Sequence, residues 1–379
     1  MIVLDYNATT PVHPEVISSM TPFFSEHWGN PSSKHALGKK ASEAIEVARS
    51  GVANLIGAKP DEIIFTSGGT EATNLALFGS LKRSWFLFQN LPFHGIISSV
   101  IEHPATLESL LIIKARKIGF RLTRVLSSGR IDLDHFKRLM FWFPQLVSLI
   151  HAHNETGTIQ PIIEASEISK KAGALVHVDA SQSIGKIPVN VNDLGVDLLT
   201  IAGHKLGAPK GIGALFVREG VPLQRIICGA GQEKGLRGGT ENVPYIVGLG
   251  TAARLAKNLN RSTVGLLRDE LWKLLSKGLG ENIRKFTDQT HNLPNTLFVA
   301  LKNLDSASLL SKIPNLAAST GSACHDGNRM GSAVLRAMGV EKQWLSGTIR
   351  FSLGPNTTLG DIQAASEMIV DQTLKILRK

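Results

Sequence analysis

Cys324 is one of only two cysteines in this chain of 379 residues, and it lies in "ASTGSACHDGNRMG" (318–331), among Ser, Thr, Gly and Asn. Free cysteines are most often buried and inert, so a thiol in a polar, glycine-rich stretch asks for a chemical reason. Three more residues ask for one too. Lys205 sits in "TIAGHKLGAPKGIGAL" beside His204, and an amine held there can form a Schiff base with an aldehyde. A solvated surface lysine is the plainer alternative; His204 and the apolar segments on both sides argue against it. Asp179 ends the apolar run of "ALVHVDASQ", where a carboxylate is costly unless it meets a cation or a donor. It suits a protonated ring nitrogen, or the N-cap of a following helix. Arg350, inside the apolar "GTIRFSLG", needs an anion; a substrate carboxylate or a structural ion pair would each serve.

Weaker signals surround these. In "TSGGTEATN", Gly68 and Gly69 let backbone N–H groups approach an anion, and Thr70 offers a hydroxyl at a helix N-terminus. That is a phosphate cradle by its physics, though not a P-loop, and an ordinary glycine turn with a Thr cap would look the same. His103 ends "IISSVIEH" before Pro104 and reads as a structural cap or a catalyst. "HAHNE" puts His151 and His153 on one strand face, but no cysteine or carboxylate completes a metal-ligand set at the usual spacings. No metal is expected. "AGQEKGLRGGTEN" (230–242), with Thr240, is either a flexible surface loop or a phosphate contact supplied across a dimer interface.

The elements that must position these groups follow a strand–helix alternation. "DEIIFTS", "HGIISSVIEH", "QLVSLIHAHNETG", "ALVHVDASQ", "VDLLTIAGHK" and "GIGALFVREG" read as strands, with amphipathic segments between several of them. This pattern predicts a mostly parallel α/β sheet, whose ligands sit beyond the C-terminal strand ends. Thr66 to Thr70, Glu102 and His103, Asn154 and Glu155, Asp179 and Gln182, and His204 and Lys205 collect there. Past about residue 250 the pattern changes to a long helical stretch and the strand-like "NTLFVAL" and "GTIRFSLG". The expected division is a large domain over 15–250 and a smaller α+β domain from 1–14 and 251–379 that carries the Cys324 loop. A chain this long exceeds one ordinary core.

Composition narrows the class. Apolar content of 43% and charged content of 19% fit a folded globule. Two cysteines cannot build a disulfide framework, which points to a reducing compartment. The start shows no basic segment followed by a long apolar one, so a cytoplasmic location is expected. The longest apolar run, "LMFWFPQLVSLI", is too short to span a bilayer and contains Pro144. The net charge of +10 raises nucleic acid as a partner, but Lys and Arg are dispersed and lack aromatic interleaving. No direct nucleic-acid contact and no membrane are expected; the charge suits anionic ligands or an acidic partner protein.

Taken in order, "LDYNATTP", "GNPSSKH", "FTSGGTEATN", "EH", "NETGTIQP", "HVDASQSIGK", "GHK", "PKGIGAL", "GLRGGTENVP", "STGSAC" and "IRFSLG" resemble the NifS/IscS-like cysteine desulfurases, in the class V aminotransferase group. The resemblance covers almost the whole chain. It implies the fold-type I (aspartate aminotransferase-like) architecture of pyridoxal 5'-phosphate enzymes, with a mainly parallel seven-stranded sheet and a homodimer with active sites at the interface. It implies Lys205 as the Schiff-base lysine, Asp179 on the pyridine nitrogen and Gln182 on the phenolic oxygen. His103 would stack on the ring and shuttle protons, and Asn154 would touch cofactor or substrate. Gly69, Thr70 and His204 would hold the phosphate, with Thr240 reaching in from the partner subunit. Arg350 would clamp the carboxylate of L-cysteine, and Cys324 would take its sulfur as a persulfide, leaving alanine. The sulfur then passes to an acceptor protein for iron–sulfur cluster assembly or tRNA thiolation.

The chain departs from the pattern in places. Ala202 stands where a Ser or Thr phosphate donor is usual, and His153 replaces the first Asn of "NNE". "CGAGQE", with Cys228, replaces a glycine triplet, and "RGGT" replaces "RSGT". His325 follows the nucleophile, as in selenocysteine lyases, and could equally lower the Cys324 pKa or be a solvated loop residue. The sequence stops soon after its last helix, without the extension some members use to dock a scaffold, which leaves the acceptor open. A selenocysteine lyase or general C–S/C–Se lyase is the close alternative, and a true class V aminotransferase the more distant one.

Overall fold

A computed structural model describes residues 1–81, 95–257, 262–320 and 331–378. The strands, in chain order, are β1 (Ile2–Val3), β2 (Ile63–Thr66), β3 (Ile96–Ser99), β4 (Phe120–Thr123), β5 (Leu146–Ile150) and β6 (Leu175–Asp179). They continue with β7 (Leu198–Ala202), β8 (Gly213–Val217), β9 (Ile283–Lys285), β10 (Thr296–Leu301), β11 (Leu316–Ala317) and β12 (Thr348–Ser352). Among the described residues, seven of them form one sheet in the order β2-β8-β7-β6-β5-β3-β4. Only β8 runs against its neighbours, pairing antiparallel with both β2 and β7.

The apolar runs explain this sheet. β2, β3, β5 and β7 are buried along their whole length, as a parallel sheet covered on both faces requires. Alternate side chains serve opposite cores. Ile63, Phe65, Val147, Leu149, Val176 and Val178 join the larger one. Ile64, Leu146, Leu198 and Leu215 join a second core under Leu75, Ala76, Leu110 and Ile113.

Gly213 begins β8 between Thr66 and Ala202. A Cβ there would meet the Gly68 backbone at 2.6 Å. The missing side chain lets the Gly68–Gly69 turn cross over β8, so the helix Gly69–Gly79 starts above the end of β7.

The smaller sheet has the order β12-β10-β9 and is antiparallel. It shares a third core with the helices Ser262–Leu279 and Leu359–Leu377, including Leu271, Leu275, Leu297, Ile349, Phe351, Ile362 and Ile369. Leu4 belongs to this core too, because β1 pairs with β11 and Asp5 bridges to Ser352. The chain then crosses to the large sheet. The helix Val243–Lys257 runs straight through residue 250 and packs along Ala36–Ile56. Ala252 and Ala253 lie in the larger core. A boundary at 250 would cut this helix, so we propose that the large unit extends at least through Lys257, with residues 1–14 assigned to the small one.

The loop over 230–242 is fastened in two places. Glu233, buried, grips the Arg49 guanidinium with both oxygens at 2.9 Å and accepts from Phe65 N at 2.7 Å. Arg49 also donates to Ile63 O at 2.7 Å. Further along, Arg237 pairs with Glu71 at 3.0 Å. Removing one partner of a buried pair strands the other charge. Glu233→Ala should therefore destabilise the protein by about 3–5 kcal/mol in urea unfolding. The double variant Arg49→Met/Glu233→Leu should recover most of that loss; a Glu233→Ala midpoint equal to wild type would contradict the assignment.

Candidate active site

Lys205 closes the short turn Gly203–Lys205 that follows β7. Its Nζ donates to the main-chain oxygens of Asn7 (2.5 Å) and Ala8 (2.7 Å). Desolvation, with the positive charge of Arg350, brings its pKa down from 10.5 to about 8, partly opposed by Asp179 and Asp5. An amine in that range is an available nucleophile and base near neutral pH.

Asp179, 6% exposed, stands at the end of β6 and accepts from Ser181 N at 2.9 Å. Two buried groups surround it. Glu102 accepts from Ser99 Oγ (2.5 Å) and Ile150 N (3.1 Å), while its Oε2 has no hydrogen-bond partner. Desolvation first, then the charge of Asp179, raises the Glu102 pKa to about 8. His177, two residues before Asp179 on the same strand face, bonds Ser148 Oγ (2.9 Å) and Thr200 Oγ1 (3.0 Å). Desolvation lowers its pKa to about 4, so it is neutral. Thr200 continues to Thr73 at 3.1 Å, tying three strands to the helix Gly69–Gly79.

That helix begins without a side-chain cap at Gly68, whose φ is 155°. A Cβ on Gly69 would meet Ala202 Cβ at 3.1 Å and Ser181 Oγ at 3.2 Å, so the helix N-terminus faces the ends of β6 and β7. Thr70 is exposed. His204 bonds Thr9 Oγ1 at 3.2 Å, and desolvation with Lys205 and Lys210 lowers its pKa to about 4. Thr240 is exposed on the fastened loop, which reaches the same helix through the Arg237–Glu71 pair.

Arg350, on β12, meets Asp5 Oδ1 at 2.6 Å and donates to Asn154 O at 3.0 Å. The structural ion pair is thus present, and Arg350 Nε remains a buried donor without a partner. His103 is the N-cap of the helix Pro104–Ala115 and accepts from Ala105 N at 3.1 Å. His151 bonds Ser183 Oγ at 2.9 Å. His153 accepts from Glu155 N and Thr156 N at 3.3 Å. Both are thereby engaged as structural groups. Cys324 and His325 lie outside the described residues. The chain on either side of them is held at this rim. Ser319 and Arg350 exchange backbone bonds of 3.2 and 2.7 Å, and Thr320 O accepts from Thr348 Oγ1 at 2.8 Å. Ser332 Oγ donates to Glu155 Oε2 at 3.1 Å, next to Asn154.

Three residues complete the site that the strand-end pattern did not single out, Asn7, Asp5 and Lys186, and Glu102, which that pattern placed there, is a buried acid. Gln182 Nε2 donates to Asn7 O at 3.0 Å, and Lys186 Nζ donates to Asn7 Oδ1 and Gln182 Oε1, each at 2.6 Å. The one signal for Asn7 and Asp5 was their place in "LDYNATTP".

The family model for class-V aminotransferases matches residues 2–365. The chain belongs to that family. It is 41% identical over 374 residues to a cysteine desulfurase of Nostoc sp., covering 97% of this chain and 92% of the relative. A solved NifS-like protein is 35% identical with a TM-score of 0.89, covering 98% of both chains. A structure of SspA in complex with cysteine is 32% identical with a TM-score of 0.83, over 94% of this chain and 100% of that one. The seven-stranded, mainly parallel sheet is the fold-type I architecture, and this enzyme family is pyridoxal phosphate-dependent. The donor set fits that group: an uncapped helix N-terminus for a phosphate, a carboxylate at a strand end for a ring nitrogen, and a desolvated lysine for an aldehyde.

Glu102 gives a test of the site's electrostatics. Its folded pKa lies above its ordinary 4.5. The folded state therefore keeps a proton that the unfolded chain releases, and stability falls as pH rises from about 4.5 towards 8. Glu102→Gln, neutral throughout, should flatten that fall; unfolding free energies measured at pH 5 and 8 with the same slope in both proteins would refute the assignment.

Proposed function

We propose that the protein is a pyridoxal phosphate-dependent cysteine desulfurase that converts L-cysteine to L-alanine and carries the sulfur as a persulfide on Cys324. The carrying observation is convergence. The Lys205 amine, the Asp179 carboxylate and the Arg350 guanidinium share one rim, and both flanks of the Cys324 segment are fastened to that rim.

Pyridoxal phosphate supplies the electron sink when bound. Lys205 would hold it, and the Lys205 amine would move a proton at the substrate α-carbon. Asp179 would hold the ring nitrogen, Gln182 the phenolic oxygen, and His103 would stack on the ring. Gly69, Thr70 and His204 hold the phosphate, with Thr240 of a second copy completing it in a homodimer. Arg350, aided by Asn154, takes the substrate carboxylate. The Cys324 thiolate attacks the substrate sulfur: an S–S bond forms, the C–S bond breaks, and its electron pair stays on the carbon skeleton, which leaves as alanine after taking up a proton. The persulfide then passes to an acceptor protein, a cluster scaffold or a tRNA-thiolation protein. Two cysteines, too few for a disulfide framework, support a reducing, cytoplasmic setting. Among the described residues no helix is long and apolar enough to cross a membrane.

Purified protein should be yellow, and Lys205→Ala should lose the visible band. With L-cysteine the wild type should release alanine, and Cys324→Ala should lower that rate by about two orders of magnitude or more. Alanine formation at the wild-type rate in Cys324→Ala would remove the persulfide step; colourless wild type that does not take up the cofactor would remove the whole reading.

A further inference from the structure

Lys186 is a partly buried amine that the reaction above does not use. Its Nζ has two close partners, Asn7 Oδ1 and Gln182 Oε1, both at 2.6 Å. Every other valence of these two amides that the structure shows is compatible with that arrangement. Asn7 Oδ1 also accepts from Asn295 Nδ2 (3.0 Å), and Asn7 Nδ2 donates to Thr296 Oγ1 (2.9 Å) and Asn154 O (3.3 Å). Gln182 Nε2 donates to Asn7 O (3.0 Å).

A glutamine amide is nearly symmetric in shape, so its environment must decide which end faces a ligand. Here Lys186 decides at the oxygen end and the Asn7 main-chain oxygen at the nitrogen end. If Gln182 turned over, its NH2 would face an amine that already donates, and its oxygen would face the main-chain oxygen of Asn7. Two N–H donors on Lys186 are enough for the observed pair. They are present whether the amine is charged or neutral, which matters because desolvation, with Lys205 and Arg350, holds it well below its ordinary range. The charged groups facing this corner are Lys205 and Arg350, with Asp179 and Asp5 next to them.

We propose that Lys186 is a positioning residue: it locks the Gln182 amide so that its NH2, with one hydrogen on Asn7 O, offers the other to the phenolic oxygen of the cofactor. The proposal rests on the assignment of Gln182 to that oxygen. A donor there stabilises the deprotonated oxygen and weakens the cofactor's hold on the proton shared with its link to Lys205. Loss of the lock raises the pH at which that proton leaves.

The experiment is a pH titration of the visible band in holoenzyme. Lys186→Met should raise the midpoint by about one pH unit, a tenfold tighter hold on the proton. Gln182→Met should do the same, and the double variant should shift no further than either single one. Lys186→Arg, which keeps a pair of donors, should restore the midpoint towards wild type. Should Lys186→Met not fold, Lys186→Gln is titrated instead; its shorter side chain reaches only one of the two oxygens, so the midpoint should move in the same direction. A wild-type midpoint in the folded variant, or additive shifts in the double variant, would overturn the proposal. Failure of the underlying reading looks different, because wild type would then show no titrating visible band.

Discussion

Asn7 is where the molecule is tied together. Its N–H donates to Ser352 Oγ, its side-chain amide to Thr296 Oγ1 and Asn154 O, and its side-chain oxygen accepts from Asn295 and Lys186. Its main-chain oxygen accepts from Gln182 and Lys205. Those partners come from two of the three strands of the small sheet, β10 and β12, with Asn295 just before β10, and from the ends of the large sheet. A buried amide with every donor and acceptor engaged has one arrangement, whereas a partly satisfied one carries the full desolvation penalty of the orphaned group. Together with the β1–β11 pairing and the Asp5–Arg350 ion pair, this side chain ties two separately built cores to each other.

The same corner is rich in cations. Lys205, Lys186 and Arg350 lie within electrostatic reach of one another, and their mutual repulsion with desolvation depresses both amines. Asp5 is directly paired with Arg350, and Glu102 is held protonated in the neutral range. Without ligand, Arg350 and the two desolvated amines share this corner with Asp5 and Asp179, and an arriving anion would favour the charged form of both amines. Such an arrangement is unfavourable by itself and becomes favourable when anions arrive. A phosphate and a carboxylate are the two anions the proposed reaction brings, and the overall charge of +10 draws them in the same direction.

What could be read from the sequence follows from how local each signal is. Asp179 and Lys205 end apolar strands, so their cost and their location are visible in a few residues. The need of Arg350 for an anion was also visible, but Asp5 as the anion was not, since it lies 345 residues away. Lys186 and Asn7 are separated by 179 residues, and neither stands out by type or spacing. β4 went unread because an edge strand with the sequence "FRLT" alternates polar and apolar residues and has no continuous apolar run. The division at 250 follows a change in composition, whereas the helix Val243–Lys257 runs across that point and packs along Ala36–Ile56.

Ala202 shows how the pieces compensate. A Ser or Thr at that place would give a phosphate one neutral hydrogen bond, worth about 1 kcal/mol net. The helix above it keeps its first N–H groups free, since its first intrahelical bond is Ala72 N to Gly68 O and Gly68 brings no side-chain cap. Charge-complementary helix termini contribute up to about 2 kcal/mol in partly buried geometry. Moreover, the glycine at 69 has the Ala202 methyl on one side and the Ser181 hydroxyl on the other, at nearly equal distance. The Ser181 hydroxyl, two residues past Asp179, thus stands beside the turn where the end of β7 has only a methyl. The Ala202 methyl, 5% exposed, lies 3.1 Å from where a Cβ on Gly69 would stand and so packs beside the turn that opens the helix.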